Sequence, residues 1–160
     1  MSNAEEQADR LIAFLLKNKE DRGVMADLRC GFSPAKEHRA WPHIAQLCRL
    51  ELPWSRIPVQ TVCAAFATHP KNTDSGNIGS TLREIAKEMA SAEKRFQRLL
   101  ICDTKEELCD HLSAVVRVAK AKGIPVNYRQ MYCDICWWDG KFPPKLRWAD
   151  AFWGSTGGEE

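Results

Sequence analysis

The chain has 160 residues, with 23 Lys and Arg against 21 Asp and Glu, a formal net charge of +2. Hydrophobic residues make up 44% and charged residues 28%, a globular balance that excludes a collagen, a long disordered chain and a broadly basic, histone-like binder. The apolar run Leu11 to Leu16 is too short to cross a bilayer and follows no signal-peptide pattern, so a soluble cytoplasmic protein with no membrane partner is expected.

Glu5 to Lys19 carries Ala8, Leu11, Ile12 and Leu15 at the spacing of an amphipathic helix. Asp21 caps a second helix, Arg22 to Cys30, with Gly31 as its stop. Ser33-Pro34 and Trp41-Pro42 each restart the chain, the second into a helix over His43 to Leu50. Pro53 and Pro58 bracket a turn, and Val59 to Thr68 is a short buried segment. His69 to Gly79, rich in turn formers, is expected to be a mobile loop. Ser80 caps a helix with Leu82, Ile85, Ala86 and Met89 inward, and a further helix carries Phe96, Leu99 and Leu100. Thr104 and Glu107 form a capping box for a long helix through Leu108, Leu112, Val115, Val116 and Ala119, which ends at Gly123. Asn127 to Trp138 and Lys145 to Trp153 complete the set. The expected fold is all-α, a compact bundle of roughly eight to nine helices over residues 5–153. Its seam falls near 103 if the chain forms two lobes, and 154–160 is expected to be a disordered tail.

Seven cysteines, an odd number in mostly apolar helical contexts, fit a reducing compartment better than a disulfide scaffold. Cys133-Asp134-Ile135-Cys136 is the only CxxC, and a zinc site needs two more ligands. Two small buried residues one helical turn apart explain it more simply. P-loop, GxGxxG, nucleophile-elbow and HExxH patterns are all missing, so no enzyme activity, cofactor or metal is expected.

The basic residues say more. Leu112 to Met131 contains no Asp or Glu but carries Arg117, Lys120, Lys122 and Arg129. Lys94, Arg95 and Arg98 form a second group, and Arg29 and Arg83 stand apart. Solvated helix faces account for charge runs about as well as a phosphate-binding surface does. In the second reading guanidinium groups pair bidentately with phosphate, which gives affinity without selecting a base sequence. Trp137, Trp138, Trp148 and Trp153 share helical spacing with Ile135, Leu146, Ala149 and Phe152, so core packing is expected for most of them. At most one of the Trp137-Trp138 pair need face outward.

The order of these pieces resembles the CasB family, the small subunit of the type I-E CRISPR complex Cascade. The likeness covers about Leu11 to Trp153, and its opening motif is Glu20-Asp21-Arg22-Gly23-Val24-Met25-Ala26-Asp27-Leu28-Arg29. It continues through Arg39-Ala40-Trp41-Pro42, Cys63 to Pro70, Asn77 to Arg83, Arg95 to Leu100 and Gly123 to Tyr128, and closes on Arg147 to Trp153. Cys30, Ile101, Ser113 and Ala114 depart from positions that the family tends to make basic. The resemblance implies a non-catalytic all-α subunit that works beside other Cascade subunits and a second copy of itself. It implies contact with CRISPR RNA and target DNA, stabilising the hybrid and the displaced strand. Arg29, Arg83, Arg95 and Arg98 lie inside the matching motifs, and Arg117, Lys120 and Lys122 lie on the helix the family makes basic. Three other readings compete: a helical scaffold that touches no nucleic acid, a helix-turn-helix regulator built on Arg22 to Cys30, and a thiol or zinc enzyme.

Overall fold

The computed structural model describes residues 3–154, so the expected tail lies outside the described residues apart from Gly154. Among them are nine α-helices: α1 (Asn3–Lys17), α2 (Arg22–Arg29), α3 (Trp41–Ile44), α4 (Pro53–Thr68), α5 (Ile78–Ala86), α6 (Ala92–Leu100), α7 (Lys105–Lys122), α8 (Tyr128–Trp137) and α9 (Lys145–Trp153). The fold is all-α, as the apolar spacing predicts.

Helix α4 is the axis of the molecule. Every residue from Pro58 to Ala67 is buried, the pattern of a helix enclosed on all sides. Helices α2, α7 and α8 lie against it, and α1 packs on α8. Helix α5 joins α9, α6 and α7 in a second group of contacts. One cluster of buried side chains runs from Ala8 to Phe152 through both groups.

Several local expectations are corrected. Pro53 and Pro58 do not bracket a turn: Pro53 opens α4 and Pro58 lies inside it. Pro58 removes one N–H, whose acceptor would be the carbonyl of Trp54, a residue 65% exposed. Burial of the next two and a half turns outweighs the lost bond. Gly31 does not stop α2 but sits inside a 3-10 turn, Cys30–Phe32. A Cβ on Gly31 would lie 3.1–3.2 Å from Gln60 and Ala64, so glycine here permits close approach to α4. Ser33-Pro34 leads only into turns and a 3-10 segment, Glu37–Arg39. The helix expected over His43 to Leu50 is the single turn α3, because Arg49 N–H donates to Ser55 Oγ at 2.9 Å and Arg56 donates to the Leu50 carbonyl, folding the chain back onto α4.

Residues 69–77 are irregular but anchored. His69 Nε2 donates to the Ile124 carbonyl at 2.6 Å. Asn72 and Val126 form an isolated parallel bridge, and Asn127 Nδ2 donates to the Gly76 carbonyl at 3.0 Å. Asn77, not Ser80, caps α5; Ser80 is the third helical residue of a reciprocal capping box. At α7 the expected cap is present, with Glu107 N–H donating to Thr104 Oγ1 at 3.2 Å. The Glu107 carboxylate reaches one residue further back than expected, to the Asp103 N–H at 3.2 Å. Gly123 takes φ +70° after the last turn, the left-handed stop that its position predicts.

Candidate nucleic-acid interface

The C-terminal ends of α4 and α7 meet. The link is the His69–Ile124 bond together with Lys71 Nζ, which donates to the Gly123 carbonyl at 2.6 Å. Two helix C-termini carry partial negative charge, so cations are favoured there before any ligand arrives. Four basic side chains gather around this end.

Arg29, the last residue of α2, donates from Nη1 to the Ala67 carbonyl in the final turn of α4 at 3.2 Å. Three residues on, Phe32 presents its ring to Arg117, whose guanidinium carbon lies 5.7 Å from the ring centroid. That stacking leaves the guanidinium edge open, apart from a 3.4 Å contact with Ser113 Oγ one turn earlier. Lys120 stands one turn beyond Arg117, exposed and without a hydrogen bond or ion pair among the described residues. Lys71 is the fourth, and sequence reasoning missed it. It has no helical periodicity to place it, and only the fold of residues 69–77 carries it to the end of α7.

The other candidates are placed differently. Arg83 is half-buried and donates to the carbonyls of Gly154 at 2.9 Å and Ala151 at 3.4 Å, tying α5 to the last turn of α9. Lys122 pairs with Glu88 at 3.7 Å. Arg95 is half-buried, with its Nε enclosed and unpartnered, while Arg98 is exposed and free of internal partners among the described residues. The structure thus brings Arg29, Arg117 and Lys120 together and leaves Arg95 and Arg98 as their own pair on α6.

The tryptophans divide evenly rather than packing mostly inward. Trp138 and Trp148 are buried, their ring centroids 4.8 Å apart, and Trp41 is half-buried. Trp54, Trp137 and Trp153 are exposed, as is Leu146, which the spacing had assigned to the core. Of the adjacent pair only Trp137 faces outward, as expected.

Burial holds Cys109, Cys133 and Cys136 in their protonated form. Burial pushes Cys133 up to about 11 and Cys109 up to about 12, and also raises Cys136. Among the described residues no three His, Cys, Asp or Glu side chains form a metal-binding group. At neutral pH a thiol reagent should therefore modify Cys109 and Cys133 roughly a hundredfold more slowly in the folded protein than after unfolding. Equal rates, followed by mass spectrometry of each peptide, would contradict the burial argument.

The family model for CRISPR-associated protein Cse2 matches residues 24–153, a span that includes α7, most of α2, and Arg29, Arg117 and Lys120. The chain belongs to the Cse2 family of CRISPR-associated proteins. This agrees with the CasB resemblance in the motifs. Among solved structures, TTHB189, a Cse2-family protein from Thermus thermophilus, superposes with a TM-score of 0.75 at 23% identity, covering 97% of this chain and 100% of that one. A structure of CasB from Thermus thermophilus gives 0.71 at 23% identity, with the same 97% and 100% coverage. CasB from Thermobifida fusca gives 0.63 at 15% identity, covering 93% of this chain and 94% of that one. At these identities the likeness establishes the Cse2 fold. No curated protein matches the chain.

Proposed function

We propose that this Cse2-family chain is the non-catalytic small subunit of a type I-E Cascade complex in the cytoplasm. In this reading its basic faces hold nucleic-acid backbone and stabilise the guide RNA–target DNA hybrid and the displaced strand. The observation that carries it is the grouping of Arg29, Arg117 and Lys120 at the joined ends of α4 and α7, within a family of CRISPR-associated proteins. Arg95 and Arg98 supply a second contact on α6. Formation of an R-loop exchanges one duplex for another of similar stability, so a few backbone contacts suffice to tip it. Other Cascade subunits and a second copy of the chain would align these patches along one path. The net charge of +2 limits the affinity of one copy alone.

The test is retention of target DNA by the assembled complex across a salt series. Arg117→Ala with Lys120→Ala should weaken retention about tenfold near physiological salt. The log–log salt slope should fall by about one to two, since each lost phosphate contact removes roughly 0.9. Arg95→Ala with Arg98→Ala should act in the same direction. Unchanged affinity and slope in both double variants would sink the proposal.

A further inference from the structure

A groove of about 640 Å³ opens between α1, the turn before α4 and the end of α8. Lys105, at the start of α7, lines it. Lys120 is fifteen residues further along the same helix, about 22 Å away at 1.5 Å per residue, so the groove and the basic patch are separate surfaces. The lining is more apolar than polar, with Tyr132 in the floor. Trp54 and Trp137, 65% and 53% exposed, also line it. Large aromatic rings left in water beside a concave apolar floor are the usual anchors of a protein interface.

The charge around the groove is one-sided. Arg10, Arg49 and Lys105 line it, and among the described residues no Asp or Glu does. Among the described residues Arg10 bonds only to neutral acceptors, the Gln7 side chain at 3.1 Å and the Gln46 carbonyl at 3.2 Å, so its charge is positioned without an ion pair. Arg49 meets Glu51 at 3.3 Å in a pair that is exposed on both sides, and Lys105 lies 3.6 Å from Asp139. Both of those carboxylates stand outside the groove, and three cations against two anions leave it positive.

We propose that this groove seats a segment of another protein. Apolar side chains of that segment pack against Trp54 and Trp137, and an Asp or Glu beside them pairs with Arg10. A nucleic-acid strand fits the surface less well. A phosphate path needs a row of cations with free donors, whereas two of these three are already bridged and Lys105 is mostly covered, its side chain 17% exposed. The inference does not depend on the phosphate patch at the far end of α7.

The test places a benzophenone amino acid at position 137 of the full chain, assembled in its native cell and irradiated there. The expected adducts map to one segment of a different protein that combines apolar residues with Asp or Glu. Arg10→Glu should lower their yield at least fivefold, while Arg10→Lys keeps it. Both variants should retain target DNA as the unaltered complex does, which separates this idea from the function proposed above. Adducts to nucleic acid, to a basic segment, to a second copy of this chain or to nothing would overturn the inference. So would a yield unchanged by Arg10→Glu in a variant whose melting temperature matches that of the parent chain.

Discussion

Gly79→Ala should lower the stability of the folded chain by about 3 kcal/mol, a loss of roughly 6–12 °C in melting temperature for a chain of this size. Gly79 lies in the first turn of α5, where that helix crosses α9. A Cβ there would sit 2.1 Å from the Trp148 carbonyl oxygen and 2.9 Å from its carbon. Both atoms are helix backbone, so neither can turn aside as a side chain would. The helices must part, and that disturbs the Arg83 bonds to α9 and the Phe96–Phe152 stack, whose centroids are 4.5 Å apart. Gly123→Ala is the comparison. Its Cβ would meet nothing within 4 Å, but φ is +70°, so only the backbone conformation opposes it, at about 1 kcal/mol. Calorimetry of the two variants should rank Gly79→Ala well below Gly123→Ala. The reverse order would show that the α5–α9 contact is not close.

Trp148→Phe should cost about 3 kcal/mol at neutral pH, and less in acid. The fully buried indole donates from Nε1 to Asp134 Oδ2 at 2.7 Å, and Gln130 Nε2 donates to the other carboxylate oxygen at 2.9 Å. Burial raises the Asp134 pKa above the ordinary carboxylate value of 3.8; the bonds from Trp148 and Gln130, and Arg147 at 3.9 Å, hold it back. A carboxyl whose pKa is higher in the folded state binds more protons folded than unfolded. Its contribution to stability is therefore complete below pH 3.8 and is lost as pH rises through the raised value. Removing the indole donor raises that value further and leaves a buried oxygen without a partner. The penalty of Trp148→Phe should accordingly be smallest below pH 3.8 and grow as pH rises through the raised value, followed by denaturant unfolding. Asp134→Asn should abolish this growth, because nothing remains to ionise. A penalty independent of pH would mean that Asp134 does not respond to Trp148.

Three helices show how far local signals reach. Helix α9 begins and ends at Lys145 and Trp153 as its pattern predicts, and α7 carries both its expected cap and its expected glycine stop. Those signals are made of neighbours in the chain and need no distant partner. Helix α4 departs from its local reading at Pro58 because proline is a local breaker, whereas the burial that overrides it comes from α2, α7 and α8. The site divides in the same way. Arg117 and Lys120 share a face by helical spacing alone. Lys71 joins them, and Arg83 is taken up by α9, only because segments far apart in sequence fold against one another.

By itself, the sequence determined that this protein is all-α, where α7 and α9 begin and end, and that its ordered motifs belong to the CasB line. Apolar periodicity, caps and stops act over three or four residues, within reach of a linear reading. The tertiary structure alone decided which arginines face solvent, which tryptophans stay outside the core, and that a cationic aromatic groove lies at the far end of α7 from the basic patch. Those outcomes depend on what other segments cover, and helical spacing assigns a side chain to a face without saying what that face meets.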